Sequence, residues 1–129
     1  MMASLKLSTI LLLTTLAVFS AEVASQAEIG SHSITVGIRE QNDKMIHQEH
    51  ISESFLITGQ KKIIERVIRA SENHVITMVR AIDDATDGTG AEPSITSGGP
   101  GSDWVAVRFK SQRLRGVYFN LEVYAKPSY

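Results

Sequence analysis

The residues of this 129-residue chain that could do chemistry fall into a few small groups, and no cysteine is among them. Ser97-Gly98-Gly99-Pro100 reproduces the end of the trypsin-type serine-protease signature. A nucleophile in that setting needs glycine-aspartate before it, and the chain has Ile95-Thr96 instead. One small domain is also too short for the double β-barrel that holds such a triad, so the string reads as a loop using glycine for positive φ. His47 and His50 have a spacing that brings two imidazoles onto one metal ion in a helix. In a strand the same offset sends them to opposite faces, and solvated histidines are expected. His32 and His74 stand alone in turn-like surroundings. Asp83, Asp84 and Asp87, beside Gly88 and Gly90, offer hard oxygens to a calcium ion, but the spacing matches no EF-hand loop and Asp-Gly is an ordinary turn pair. The same loop lacks the Gly-Lys-Ser/Thr ending of a phosphate cradle, and Pro100 removes an amide donor. No catalytic residue, metal site or cofactor site is expected, and we expect no enzyme.

What remains is positive charge. Arg108, Lys110, Arg113 and Arg115 place four cations in and beside one alternating segment, and they are the candidate partner-binding residues. A protein or an anionic surface would suit them; a charged edge strand that resists aggregation is the competing explanation. Lys61, Lys62, Arg66 and Arg69 form a second, weaker basic run. The whole chain carries a formal net charge of -1, so there is no strong nucleic-acid signal.

The elements that must position these residues are short and β-type. Ile34, Val36 and Ile38 alternate with Thr35, Gly37 and Arg39 as a half-buried strand, and Glu40 to Lys44 supplies a turn. Met45 to Ile51 is a weaker strand, followed by Phe55, Leu56 and Ile57 before a stop at Gly59. Lys61 to Arg69 fits a helix by the spacing of Ile63, Ile64, Val67 and Ile68. Its β-branched composition and the Ser71-to-His74 turn before Val75, Thr77 and Val79 favour a strand in a hairpin. A strand ending near Ile82 leads into a glycine-rich loop from Asp83 to Asp103. Val105, Val107 and Phe109 then pair with Val117, Phe119, Leu121 and Val123 as a hairpin turning at Ser111 to Gly116. The expected fold is all-β: an antiparallel two-layer sandwich, or a small barrel, of about six to seven short strands. Ile34, Val36, Ile38 and the alternating residues of the last two strands should face inward, while Trp104 either caps one end of the core or stands exposed.

The N-terminus reads as an export signal. Lys6 precedes a mostly apolar run from Leu7 to Phe19, shorter than the roughly 20 residues that span a bilayer. Residues 1–21 are therefore expected to be a signal peptide, cleaved after Ser20, Ala21 or Ser25, with 22–129 forming one β domain and Glu22 to Ser31 a flexible lead-in. No transmembrane segment is expected, and the protein should be secreted and extracellular. Removing Lys6 leaves 12 basic against 14 acidic residues, a net charge of -2. An exported domain without cysteine must be held by its core. Asn42, Asn73 and Asn120 head no Asn-x-Ser/Thr sequon.

Asp83, Asp87-Gly88-x-Gly90, Gly98-Gly99-x-Gly101, Val105-x-Val107-x-Phe109-Lys110-Ser111-Gln112-Arg113, Gly116 and Phe119-x-x-x-Val123-Tyr124 together resemble the insect multiprotein bridging factor 2 family. The match covers about a third of the chain. Relatives often have glycine where this chain has Leu114, and the Lys126-Pro127-Ser128-Tyr129 tail is extra. The resemblance implies two functions. One is a transcription coactivator that bridges a DNA-bound activator to the general transcription machinery; the other is a short secreted protein of saliva, venom or another insect secretion. The export signal sides with the second. The resemblance brings no catalytic residue, and its glycines imply loop geometry.

Overall fold

A computed structural model describes residues 30–129. The expected signal peptide, its expected cleavage positions and most of the expected lead-in lie outside the described residues. Seven strands follow: β1 (Ile34–Gly37), β2 (Lys44–Glu53), β3 (Ile63–Arg69), β4 (His74–Asp83), β5 (Glu92–Gly98), β6 (Trp104–Lys110) and β7 (Val117–Pro127). They form a four-stranded sheet in the order β1-β4-β7-β2 and a three-stranded sheet in the order β3-β6-β5. Every paired neighbour runs antiparallel. The two-layer sandwich is thus the form adopted, and within Lys61 to Arg69 the stretch Ile63–Arg69 is strand.

Alternation explains the layers. Val105, Val107 and Phe109 on β6, and Val117, Phe119, Leu121 and Val123 on β7, are all fully buried. Phe109 and Phe119 meet between the sheets with ring centroids 5.0 Å apart and planes tilted by 52°, a separation within the favourable range for aromatic pairs. Ile51, Ile64, Ile68, Ile76, Val79 and Ala81 complete the core.

Three expectations fail, each for a physical reason. β6 and β7 are not a hairpin, because they belong to different sheets, and neither are β3 and β4. Among the described strands only β5 and β6 pair with a chain neighbour. Alternation fixes which face of a strand is buried but not which strand it pairs with. The loop expected from Asp83 to Asp103 contains β5. Pro93, Ser94 and Thr96 hid it, yet Pro93 is tolerated because β5 is an edge strand, and a bulge lies between Ile95 and Ser97. Finally, Val36 and Ile38 are 39% and 73% exposed. β1 is an edge strand that ends at Gly37, whose φ is +88°, so Ile38 lies beyond the sheet. Val36 lies opposite the buried Val79, on the same face, but at the margin of the wider sheet.

Gly30, at the described end of the lead-in, and the residues just after it are tied to the fold. Gly88 N–H donates to the Gly30 carbonyl at 2.6 Å, His32 N–H donates to Asp83 Oδ2 at 3.0 Å, and Asp83 N–H donates to Ser33 Oγ at 2.8 Å. These bonds fasten Gly30 to Ser33 onto the β4–β5 connection.

Charge closes one side of the sandwich. Along edge strands β2 and β3, Arg66 Nε donates to Glu49 Oε2 at 2.8 Å, and Nζ of Lys62, just before β3, donates to Glu53 Oε2 at 3.3 Å, linking the two sheets. Inward charge on an edge also discourages pairing with another chain. Partial burial pushes the Glu49 pKa up, but hydrogen bonds from Arg66 and His47 outweigh it and hold the carboxyl below its usual range.

Candidate binding surface

Most residues with chemical potential turn out to be committed to the fold. Ser97 lies at the bulge of β5 opposite Ala106, and every histidine has a partner other than Ser97. His32 Nδ1 lies 3.0 Å from the Gly90 carbonyl and His74 Nδ1 lies 2.8 Å from that of Glu72. His47 Nε2 meets Glu49 at 3.2 Å and His50 Nε2 meets Asp84 at 2.7 Å, so the two members of the H-x-x-H spacing serve different carboxylates. No group of three or more potential metal ligands occurs among the described residues.

The aspartates likewise serve turns. Buried Asp83 accepts backbone N–H groups from His32 and Ala85, while Asp87 Oδ1 accepts the Thr89 hydroxyl at 2.6 Å and its N–H at 3.1 Å. Those bonds to Thr89, with the nearby Arg115 charge, hold the Asp87 pKa low. At the Glu40–Lys44 turn, burial pushes the Asp43 carboxyl up, and hydrogen bonds from Glu40 N–H, Arg39 and Thr77 more than reverse it. Asn42 there and Asn73 in the Ser71-to-His74 turn have φ of 69° and 60°, a left-handed conformation that asparagine tolerates.

The Phe109-to-Arg113 segment has the same character. Phe109 fills the core. Ser111 N–H donates to the Lys62 carbonyl at 2.8 Å, and Ser111 Oγ accepts Lys62 N–H at 2.7 Å. Gln112 Nε2 donates to the carbonyls of Gly88 and Gly90 at 2.6 and 3.2 Å. Ser111 therefore binds the start of β3 and Gln112 grips the glycine-rich loop, which sends the chain across to the other sheet.

The four candidate cations do not form one cluster. Arg108 and Lys110 project from the outer face of β6, the central strand of its sheet, so the edge-strand explanation does not apply to them. Arg108 stands between Glu65 and Ser94, and Lys110 between Ile63 and Glu92. Arg108 Nε is 4.0 Å from Glu65 Oε1 and has no hydrogen-bond partner among the described residues. Glu92, Pro93, Ser94, Arg108 and Lys110 line a shallow pocket of about 180 Å³. The second basic run is also dispersed: Lys62 and Arg66 join the sheets, and the Arg69 guanidinium lies 5.7 Å from the Trp104 ring centre. Trp104 is partly exposed at the start of β6.

Arg113 and Arg115 sit instead at the end of the sandwich where β2 stops and β7 starts, Glu53 lying opposite Val117. A turn closed by Arg115 N–H to the Gln112 carbonyl at 3.1 Å places Leu114 at φ 58° with 55% of its surface exposed. Glycine or asparagine normally takes that turn position. The β2–β3 connection emerges at the same end, with Lys62 Nζ bonded to the Ser54 carbonyl. Its turn, closed by Gly59 N–H to the Leu56 carbonyl at 3.0 Å, exposes Phe55 by 50% and Ile57 by 86%, with Leu56 also open. Sequence reasoning passed over this triplet, although three apolar residues in a row before Gly59 cannot all face one side of a strand.

The fold and this surface define a small two-sheet β domain with a loop-built end that is both apolar and basic. The chain belongs to the family described as transcription activator MBF2, which matches residues 36–125. It is 38% identical over 96 residues to a probable salivary secreted peptide of Bombus ignitus, an alignment covering 74% of this chain and 71% of that protein. No solved structure matches it. The family match extends well upstream of the glycine-rich segment, through β2, β3 and β4.

Proposed function

We propose that this protein is secreted and acts outside the cell by binding a partner, without catalysing a reaction. The observation that carries the reading is the likeness to a probable salivary secreted peptide over most of both chains. The apolar Leu7-to-Phe19 run behind Lys6 supports export. Binding rather than catalysis is supported by the fate of the polar groups: Ser97 lies at a strand bulge, and the four histidines and Asp43, Asp83, Asp84 and Asp87 each have partners of their own. Arg113 and Arg115 stand exposed where a partner could reach them.

The family's description as a transcription activator supports a second reading, which we take to be that of a coactivator joining a DNA-bound activator to the general transcription machinery. Fractionation separates the two. Untagged protein in the fluid of the secreting tissue fits the first; untagged protein in nuclei, together with a general transcription factor, replaces it with the second. Secreted protein that labels with an active-site serine probe would overturn the non-catalytic part alone.

A further inference from the structure

Phe55, Leu56 and Ile57 have no place in the core, and Leu114 holds an apolar side chain in solvent at a backbone conformation that costs about 1 kcal/mol or more for a residue with a Cβ. The two connections carrying them, residues 54–62 and 111–116, meet at one end of the sandwich through the Ser111–Lys62 bonds. Between them these connections contain Lys61, Lys62, Arg113 and Arg115 and not one carboxylate. Lys62 is engaged by Glu53, which leaves Lys61, Arg113 and Arg115 as the exposed cations of the two loops. The carboxylates of this end lie off the two loops: Glu53 at the end of β2, paired with Lys62, Glu92 at the start of β5, and Asp84 and Asp87 on the third connection, which exposes no large apolar side chain and whose Asp87 lies near Arg115.

We propose that this end of the domain is an interfacial membrane-binding surface for anionic phospholipid. Phe55, Leu56, Ile57 and Leu114 enter the headgroup boundary while Lys61, Arg113 and Arg115 contact lipid phosphates and carboxylates. The inference rests on the reading that the protein works by binding. Apolar tips backed by cations supply the two signals that reversible membrane attachment requires, and both act on one surface. A soluble polyanion would use the arginines but leave the tips in water. A protein groove would need one continuous apolar ridge, whereas Ile57 and Leu114 stand exposed on two separate turns.

The test is flotation of the purified chain, expressed from its full sequence in insect cells, with phosphatidylcholine vesicles that contain or lack phosphatidylserine. We expect it to float with the anionic vesicles and to be released by salt. Ile57→Ser and Leu114→Gly should each weaken partitioning by about tenfold, and R113Q/R115Q should abolish the preference for phosphatidylserine. Leu114→Gly relieves the positive φ, so misfolding cannot account for its loss of binding. Absence of flotation, or tip variants that float like the native chain, overturns the proposal. Heparin or an acidic protein held through Arg113 and Arg115 without flotation also overturns it, in favour of a soluble partner. If the protein is found in the secreted fluid yet does not float, the extracellular reading stands and the lipid surface falls.

Discussion

Gly90→Ala and Asp83→Ala should each destabilise the domain, and the double variant should cost no more than either alone. Asp83 is buried, and its carboxylate accepts two backbone N–H groups at 3.0 Å, from His32 and from Ala85. Hydrogen bonds to a charged group contribute about 1.5–3 kcal/mol each in favourable cases, so removing the carboxylate should cost about 3 kcal/mol once partial solvent access is allowed for. Gly90 has an ordinary φ, but a Cβ added there would lie 2.6 Å from Asp83 Cγ. The methyl group must therefore expel the carboxylate, which loses the same two bonds and again costs about 3 kcal/mol. With Asp83 already truncated, the methyl group introduced by Gly90→Ala occupies the vacated space. The cycle then predicts a double-variant cost of about 3 kcal/mol rather than about 6, a coupling of about 3 kcal/mol. Urea unfolding of all four proteins measures it through midpoints at constant slope. Additive costs would show that Asp83 does not fix the loop against Gly90, and the account of how Gly30 to Ser33 and the glycine-rich loop hold each other would fail.

Acid should weaken the domain through Asp43 and Glu49, whose folded pKa values both lie below their ordinary ones. Their contribution is complete above the unfolded carboxylate range, roughly pH 4–4.5, and is lost as pH falls through the folded values. The urea midpoint should therefore hold from neutral pH to about pH 5 and drop below it, and Glu49→Gln should flatten that drop. Ser111→Ala leaves Lys62 N–H without its 2.7 Å acceptor and should cost about 1–3 kcal/mol in the same assay; a change near zero would remove Ser111 as the tie between β3 and the β6–β7 connection. Phe109→Leu should cost about 1–3 kcal/mol through the lost contact with Phe119 and the smaller volume, read as a lower unfolding midpoint.

The layers of this fold were legible because alternation is local. Val105, Val107 and Phe109 announce an inward face, and so do Val117 to Val123. Strand order was not legible, since the same pattern serves a hairpin or a crossing between sheets; the hydrogen bonds of Ser111 and Gln112 decide it and connect residues far apart in the chain. β5 was hidden by Pro93 and its bulge, and the edge position that makes both tolerable is a property of the finished sheet. Among the candidate residues, charge was visible but placement was not. Arg108, Lys110, Arg113 and Arg115 are close in sequence, yet a turn of the chain puts the first two on the outer face of β6 opposite carboxylates and the last two at an apolar end. The Phe55-Leu56-Ile57 triplet gained significance only when the fold brought Leu114 to the same end.

The most direct test of the proposal that this protein is secreted and acts outside the cell is N-terminal sequencing of the native protein recovered from the secreting tissue and its fluid. The account predicts a chain in the fluid that begins at Ala21, Glu22 or Gln26, following cleavage after Ser20, Ala21 or Ser25. A chain that keeps Met1 through Ala21 and is found in the nucleus would contradict it.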